Sequence, residues 1–256
     1  LTGGAGVDTF TLTGAGTLSG SITGGADSDT LTAANAANTW AVNAVGGGTV
    51  TGTGGFAGIE NLTGGTGTDD FSFNNAGSVA GNVDGGGAPG ANTLTGDADG
   101  NAFQITGPNA GTLAAKIGGT WSNIGTLTGG AGTDTFTFDN LGTLSGSLNG
   151  ALGTDTLNVS AIVAPPAVAI TATGGVDGFQ GTAAPITGGF DNINAITGGS
   201  LTIGLVNGNL TYNATTGDFT LLIVPVTLGT SALNSLTING SAADNTLTVD
   251  ASAGDT

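Results

Sequence analysis

The string LTGG opens the chain at Leu1 and returns at Leu62 and Leu127, with ITGG at Ile196. Three of these starts lead into the same phrase, read as TGGAGVDTFTL, TGGTGTDDFSF and TGGAGTDTFTF. A chain that repeats a glycine turn, an acid and a short strand is built from stacked units, none of which buries its apolar face alone. The long intervals between these starts are unequal, but a tighter and constant step runs inside them. Gly3 to Gly24, Gly64 to Gly85 and Gly129 to Gly150 share one spacing, and Asp8 to Asp29 and Asp134 to Asp155 keep the same one. This spacing predicts about three coils per long repeat, with the insertions falling in the third.

The local pattern is that of strands. In Asp8-Thr9-Phe10-Thr11-Leu12 the apolar residues alternate with threonine, which places Phe10 and Leu12 on one face and Thr9 and Thr11 on the other. The same alternation holds in 134–138 and 245–249. Short runs rich in Thr and Val are separated by Gly, Asn and Asp clusters suited to turns. With 52 glycines in 256 residues, continuous helix is excluded.

Two architectures accept such strands, a sandwich of hairpins and a parallel stack of coils. Equal motifs at equal spacing place like on like only in the second. The expected fold is therefore all-β, a parallel β-solenoid (β-helix) with coils of about 21 residues and a less regular C-terminal third. About 12 such coils at ~4.8 Å each would make a rod of roughly 58 Å. Residues 1–159 read as the repetitive solenoid and 160–235 as a divergent section or an inserted β-hairpin region. Residues 236–256 read as a return of the pattern, continuing into further chain.

Composition removes several classes of function. The chain has no Cys, Met or His, and Lys116 is its single basic residue, against 18 acids and a net charge of −17. Nucleic acid is not expected as a partner, since binding it takes clustered Lys and Arg. No apolar run approaches the ~18 residues of a membrane span. A polysaccharide-cleaving β-helix would hold an anionic sugar with basic groups, and the acids here sit at repeated turns rather than in one cleft, so no enzyme is expected.

TGGAGVDTFTL, TGGAGTDTFTF and above all IENLTGGTGTDDFSF resemble the repeats of large bacterial β-strand-repeat and filamentous-haemagglutinin-like surface adhesins. That resemblance implies an extracellular, cell-surface rod for adhesion, cell–cell contact or biofilm matrix. Gly3–Asp8, Gly64–Asp69 and Gly129–Asp134 are also similar to the GGxGxD turn of RTX calcium-binding repeats. This second resemblance implies Ca2+ at Asp8, Asp29, Asp69, Asp134 and Asp155. In that family the turns follow one another closely in tandem, whereas here the partner lies a whole coil on and reads GGADSD, GGGAPGAN or GALGTD. Stacked carboxylates ~4.8 Å apart would repel by ~1 kcal/mol in water, a cost that a bridging cation reverses. The alternative is that each Asp accepts hydrogen bonds from the amides of its own turn.

Thr9/Thr11, Thr30/Thr32, Thr135/Thr137 and Thr246/Thr248 would form outward threonine rows, similar to those of ice-binding solenoids, or serve simply as solvent-facing strand residues. Trp40 and Trp121 are read either as sugar-stacking platforms or as fillers where the cross-section changes. The expectation is a structural segment that needs no cofactor, in which open coil ends favour self-association into longer rods or fibres.

Overall fold

The computed structural model describes residues 1–14 and 16–204, together with the backbone of five later strands. The first long repeat contributes β1 (Thr2–Gly4), β2 (Thr9–Thr11), β3 (Ile22–Gly25), β4 (Thr30–Thr32), β5 (Asn38–Ala44), β6 (Gly47–Val50) and β7 (Phe56–Ala57). The second contributes β8 (Asn61–Thr63), β9 (Asp69–Phe73), β10 (Val83–Asp84), β11 (Thr93–Thr95), β12 (Ala102–Gly107), β13 (Ala110–Leu113) and β14 (Trp121–Ser122). The third runs through β15 (Thr126–Gly130), β16 (Thr135–Phe138), β17 (Leu148–Ala151), β18 (Thr156–Asn158), β19 (Ala167–Thr173), β20 (Phe179–Ala183) and β21 (Ile186–Ile193). Then follow β22 (Ala195–Thr197), β23 (Ser200–Gly204), β24 (Asn209–Asn213), β25 (Asp218–Leu222), β26 (Pro225–Gly229), β27 (Ser235–Asn239) and β28 (Thr246–Asp250).

The fold is all-β and repeat-like, with two long, largely parallel sheets. One has 14 strands, ordered β1-β3-β7-β6-β5-β9-β11-β15-β17-β21-β20-β19-β23-β27. The other has 10, ordered β2-β4-β8-β10-β14-β13-β12-β16-β18-β22. A 4-stranded sheet, β26-β25-β24-β28, completes the set. The chain crosses from one long sheet to the other at nearly every turn, and neighbouring coils pair in parallel.

The step between paired coils is not constant. The short step expected from the glycines and aspartates joins Thr2↔Thr23, Phe10↔Leu31, Leu62↔Val83, Leu127↔Leu148 and Phe136↔Leu157. A longer one, by about half a coil, joins Leu31↔Leu62, Leu94↔Leu127 and Phe103↔Phe136. The cause is an inserted antiparallel meander of three strands in each long repeat: β5–β7, β12–β14 and β19–β21. The meander lies within a sheet, and its outer strands pair in parallel with the coils on either side. In the first two meanders the first turn is a two-residue loop, with Gly46 (φ 60°) and Asn109 (φ 52°) taking a positive φ at its second position, whereas in the third the loop is longer, 174–178.

Each long repeat therefore makes five visits to the sheets rather than three whole coils. Because five is odd, successive repeats begin on opposite sheets: β1 and β15 lie in the first, β8 and β22 in the second. The meanders alternate in the same way. Across β1–β14 the first sheet receives β1, β3, β7, β6, β5, β9 and β11, and the second receives β2, β4, β8, β10, β14, β13 and β12. That is seven strands each, so the sheets advance together. Two extra strands always on one side would add roughly 10 Å to that sheet alone at each insertion, and the stack would bend.

Columns of inward side chains fill the space between the sheets. Trp40↔Phe71↔Leu94↔Leu127↔Leu148↔Phe190 run down one sheet and Phe10↔Leu31↔Leu62↔Val83↔Trp121 down the other, all buried. Meanders dock by ring stacking onto the following coil: Trp40 on Phe71 with centroids 5.3 Å apart, and Phe103 on Phe136 at 4.9 Å. In each meander a glycine of the middle strand, Gly48, Gly111 or Gly181, lies opposite a large ring of the third, Phe56, Trp121 or Phe190. A Cβ on Gly111 would come within 2.7 Å of the Trp121 ring. Both tryptophans are thus core, which leaves neither as a sugar platform.

Candidate functional site

The five aspartates singled out above all stand where a glycine corner enters a strand. Asp29, Asp69, Asp134 and Asp155 are fully buried, and Asp8 is half-buried. Their surroundings give the first glycine and the acid of each corner a packing role. The carboxylate folds back over the glycine that opens its own corner, and a Cβ there would collide with Oδ2: Gly3 with Asp8, Gly24 with Asp29, Gly129 with Asp134 and Gly150 with Asp155. Gly64 stands in the same relation to Asp69, at 2.5 Å. These glycines are required for space, because none of the five has a positive φ.

The other oxygen reaches along the stack. Asp8 N–H donates to Asp29 Oδ1 (2.7 Å), Asp29 N–H to Glu60 Oε2 (2.8 Å), and Asp134 N–H to Asp155 Oδ1 (2.8 Å). Asn101 N–H donates to Asp134 Oδ1 (2.6 Å), Asp155 N–H to Asn194 Oδ1 (2.8 Å), and Asp69 N–H to Asn92 Oδ1 (2.9 Å). These six corner amides are thus satisfied by side chains of the next coil, all in one direction, while the Asn38 amide donates to the Thr68 carbonyl oxygen instead. Bonding within the turn, the alternative weighed from sequence, holds for Asp69, whose Oδ2 accepts from Gly65 N–H at 2.9 Å. For Asp29 and Asp155 the bond runs between coils instead.

Asparagine breaks up the like charges. Asn38 Nδ2 donates to Asp69 Oδ1 (2.7 Å) and Asn101 Nδ2 to Asp134 Oδ1 (2.8 Å), so Asp69 is flanked by Asn38 and Asn92 along its column. Sequence reasoning missed Glu60, Asn38, Asn92, Asn101 and Asn194. A usable signal was present for one of them, since Gly96 to Asn101 keeps the spacing of Gly129 to Asp134 with Asn for Asp, and a Cβ on Gly96 would lie 2.5 Å from the Asn101 amide.

Burial pushes Asp69 and Asp134 above the usual carboxylate range, against the hydrogen bonds from Asn38 and Asn101 that pull them down. Asp155 is pushed up to about 7, chiefly by burial, with the Asp134 amide opposing and the Asp134 and Asp177 charges adding to it. Oδ2 of Asp29, Asp134 and Asp155 is buried without a hydrogen-bond partner.

No group of three or more acidic, His or Cys side chains converges among the described residues. The threonine rows are real but short: Thr11↔Thr32↔Thr63 are in register and then meet Asp84, while Thr137 meets Asn158. Thr246 and Thr248 lie outside the described side chains. A shallow polar groove of about 530 Å³, lined by Thr30, Asn61, Thr63, Asn82, Asp84 and Thr120, runs over this face. No helix among the described residues is long and apolar enough to cross a membrane. Comparison with known proteins found no matching family model, no matching curated protein and no matching solved structure.

Proposed function

We propose that this chain is a β-solenoid segment of an extracellular bacterial surface adhesin or filament, and that what it contributes is reach and stiffness. The observation that carries this reading is the levelling of the two sheets, since meanders alternate between them and each sheet receives seven strands over two long repeats. Such alternation serves straightness, a property that matters when coils are added along one axis. Fourteen strands at ~4.8 Å give a ladder of roughly 62 Å, and each further pair of repeats would add seven strands per sheet, about 34 Å.

In this reading the corner aspartates are structural and the rod needs no bound ion. One oxygen ties each coil to its neighbour and the other seals the glycine corner. A net charge of −17 with acids spread along the chain keeps parallel rods apart in solution, so association would run end to end through paired strand edges. The test is a surface-displayed chain with a binding head at its tip, carrying either this segment or a Gly/Ser linker of equal contour length. The rod should hold the head beyond the cell's surface layer and support adhesion that the coiled linker does not. Equal adhesion from both would overturn the proposal.

A further inference from the structure

Lys116 is the only amine on any side chain of this protein, and it is not at the surface. It lies between β13 and β14, with its side chain 11% exposed, and pairs with Asp97 Oδ2, whose side chain is 2% exposed. In a chain with 18 acids, a single cation could have met a carboxylate in water at little cost. Burying the pair instead removes both charges from solvent, a cost that ion pairing alone often fails to recover.

Polar groups hold both partners of the pair in place. Lys116 Nζ donates to the Asn75 carbonyl oxygen at 2.9 Å, which holds the amine in place. Asp97 Oδ1 accepts the Asp99 N–H at 3.1 Å, a donor positioned for the oxygen on which charge develops if Cγ is attacked. Asn101 donates to the Asp97 carbonyl oxygen (3.1 Å) and to Asp134 Oδ1 (2.8 Å), linking this corner to a second buried carboxyl. We infer that Lys116 and Asp97 condense spontaneously into an intramolecular amide cross-link.

The step needs no co-reactant. One proton passes from Lys116 Nζ to Asp97 Oδ2, and the neutral amine attacks Cγ, so that the C–N bond forms and the carbonyl electron pair moves to Oδ1, held by the Asp99 amide. A second proton passes from nitrogen to Oδ2, the C–Oδ2 bond breaks, one water leaves and the carbonyl reforms. Fixed juxtaposition of this kind supplies effective concentrations on the order of 10⁵ M or more, and burial lets the water escape without returning. The product ties the corner before β12 to the turn before β14. It would pin the second meander covalently to the corner that precedes it.

The test is an intact mass of the purified chain, followed by trypsin digestion after full denaturation. Trypsin has one cleavage site here, after Lys116. The cross-link predicts a mass lower than the sequence by one water and a denatured chain that trypsin leaves whole. Asp97→Ala should restore both the full mass and cleavage into 1–116 and 117–256, a readout that does not depend on the variant folding. An uncondensed mass with cleavage of the unaltered chain would overturn the inference. So would a missing water that persists in Asp97→Ala, since that loss would then come from elsewhere.

Discussion

Gly129→Ala separates a glycine needed for space from one needed for backbone freedom. Gly129 lacks the positive φ that strains other residues, so alanine can adopt its backbone. On chain entropy alone the change should stabilise by about 0.4–1 kcal/mol. In the structure the new Cβ would collide with Asp134 Oδ2 and stand 2.5 Å from the Gly150 carbonyl oxygen. The second contact is backbone, part of the ladder to the next coil, and cannot swing aside. Relief requires the coils to part or the Asp134 carboxylate to leave its place, which also strips the Asn101 amide of its acceptor. Overpacking of this kind costs about 1–3 kcal/mol, so the expected net effect is a loss of roughly 1–2 kcal/mol. Urea unfolding followed by circular dichroism would read this directly, with Gly107→Ala as the control, since a Cβ on Gly107 meets nothing within 4 Å. A Gly129→Ala midpoint equal to or above that of the unaltered chain would refute the steric account of the GGxGxD corner.

Asp155, raised to about 7 by burial, binds its proton more tightly folded than unfolded, so its contribution is full below the ordinary carboxylate value and is lost as pH rises from about 4 through 7. Repulsion among the other acids slopes the same way, so the informative comparison is Asp155→Asn, which should flatten the fall measured by urea midpoints at pH 5 and pH 8; an unchanged slope would contradict the assignment. Trp40→Ala removes a buried ring stacked on Phe71 and edge-on to Phe56, and should cost about 3–5 kcal/mol in the same assay, whereas an exposed platform would cost little. Calcium and chelator should leave the thermal melt unchanged, because the corner carboxylates are already occupied by amides and glycines; a calcium-dependent rise would mean that the unpartnered Oδ2 atoms of Asp29, Asp134 and Asp155 gather ions.

Much of the coil was legible in the residues. The alternation in Thr9-Phe10-Thr11 and Thr135-Phe136-Thr137-Phe138 gives the burial observed, and the step from Asp8 to Asp29 and from Asp134 to Asp155 is that of paired coils. The meanders were less so. GGTV, AGTL and FQGTA share only a Gly-Thr pair, because what the middle strand must supply is an absence of side chain opposite Phe56, Trp121 or Phe190, and that pair is a weak signal in a chain so rich in Gly and Thr. The sheet exchange between repeats was hidden for a different reason. LTGG reads the same on either sheet, and only the number of visits, which depends on the unseen meander, decides where the next copy falls. The corner column was half legible, since Asp is conspicuous after two glycines, while Asn92 and Asn194 do the same work behind irregular turns.

The most direct measurement uses the absence of cysteine from this chain. A stack with one uniform short step would place Thr32 beside Thr53, whereas the meander places it in register with Thr63 and sends Thr53 to Leu18. Parallel neighbours ~4.8 Å apart fall within disulfide range. Under mild oxidation the Thr32→Cys/Thr63→Cys chain should close its disulfide quantitatively, and the Thr32→Cys/Thr53→Cys chain should stay reduced. Closure of the second pair in preference to the first would contradict the inserted meanders, and with them the levelled rod.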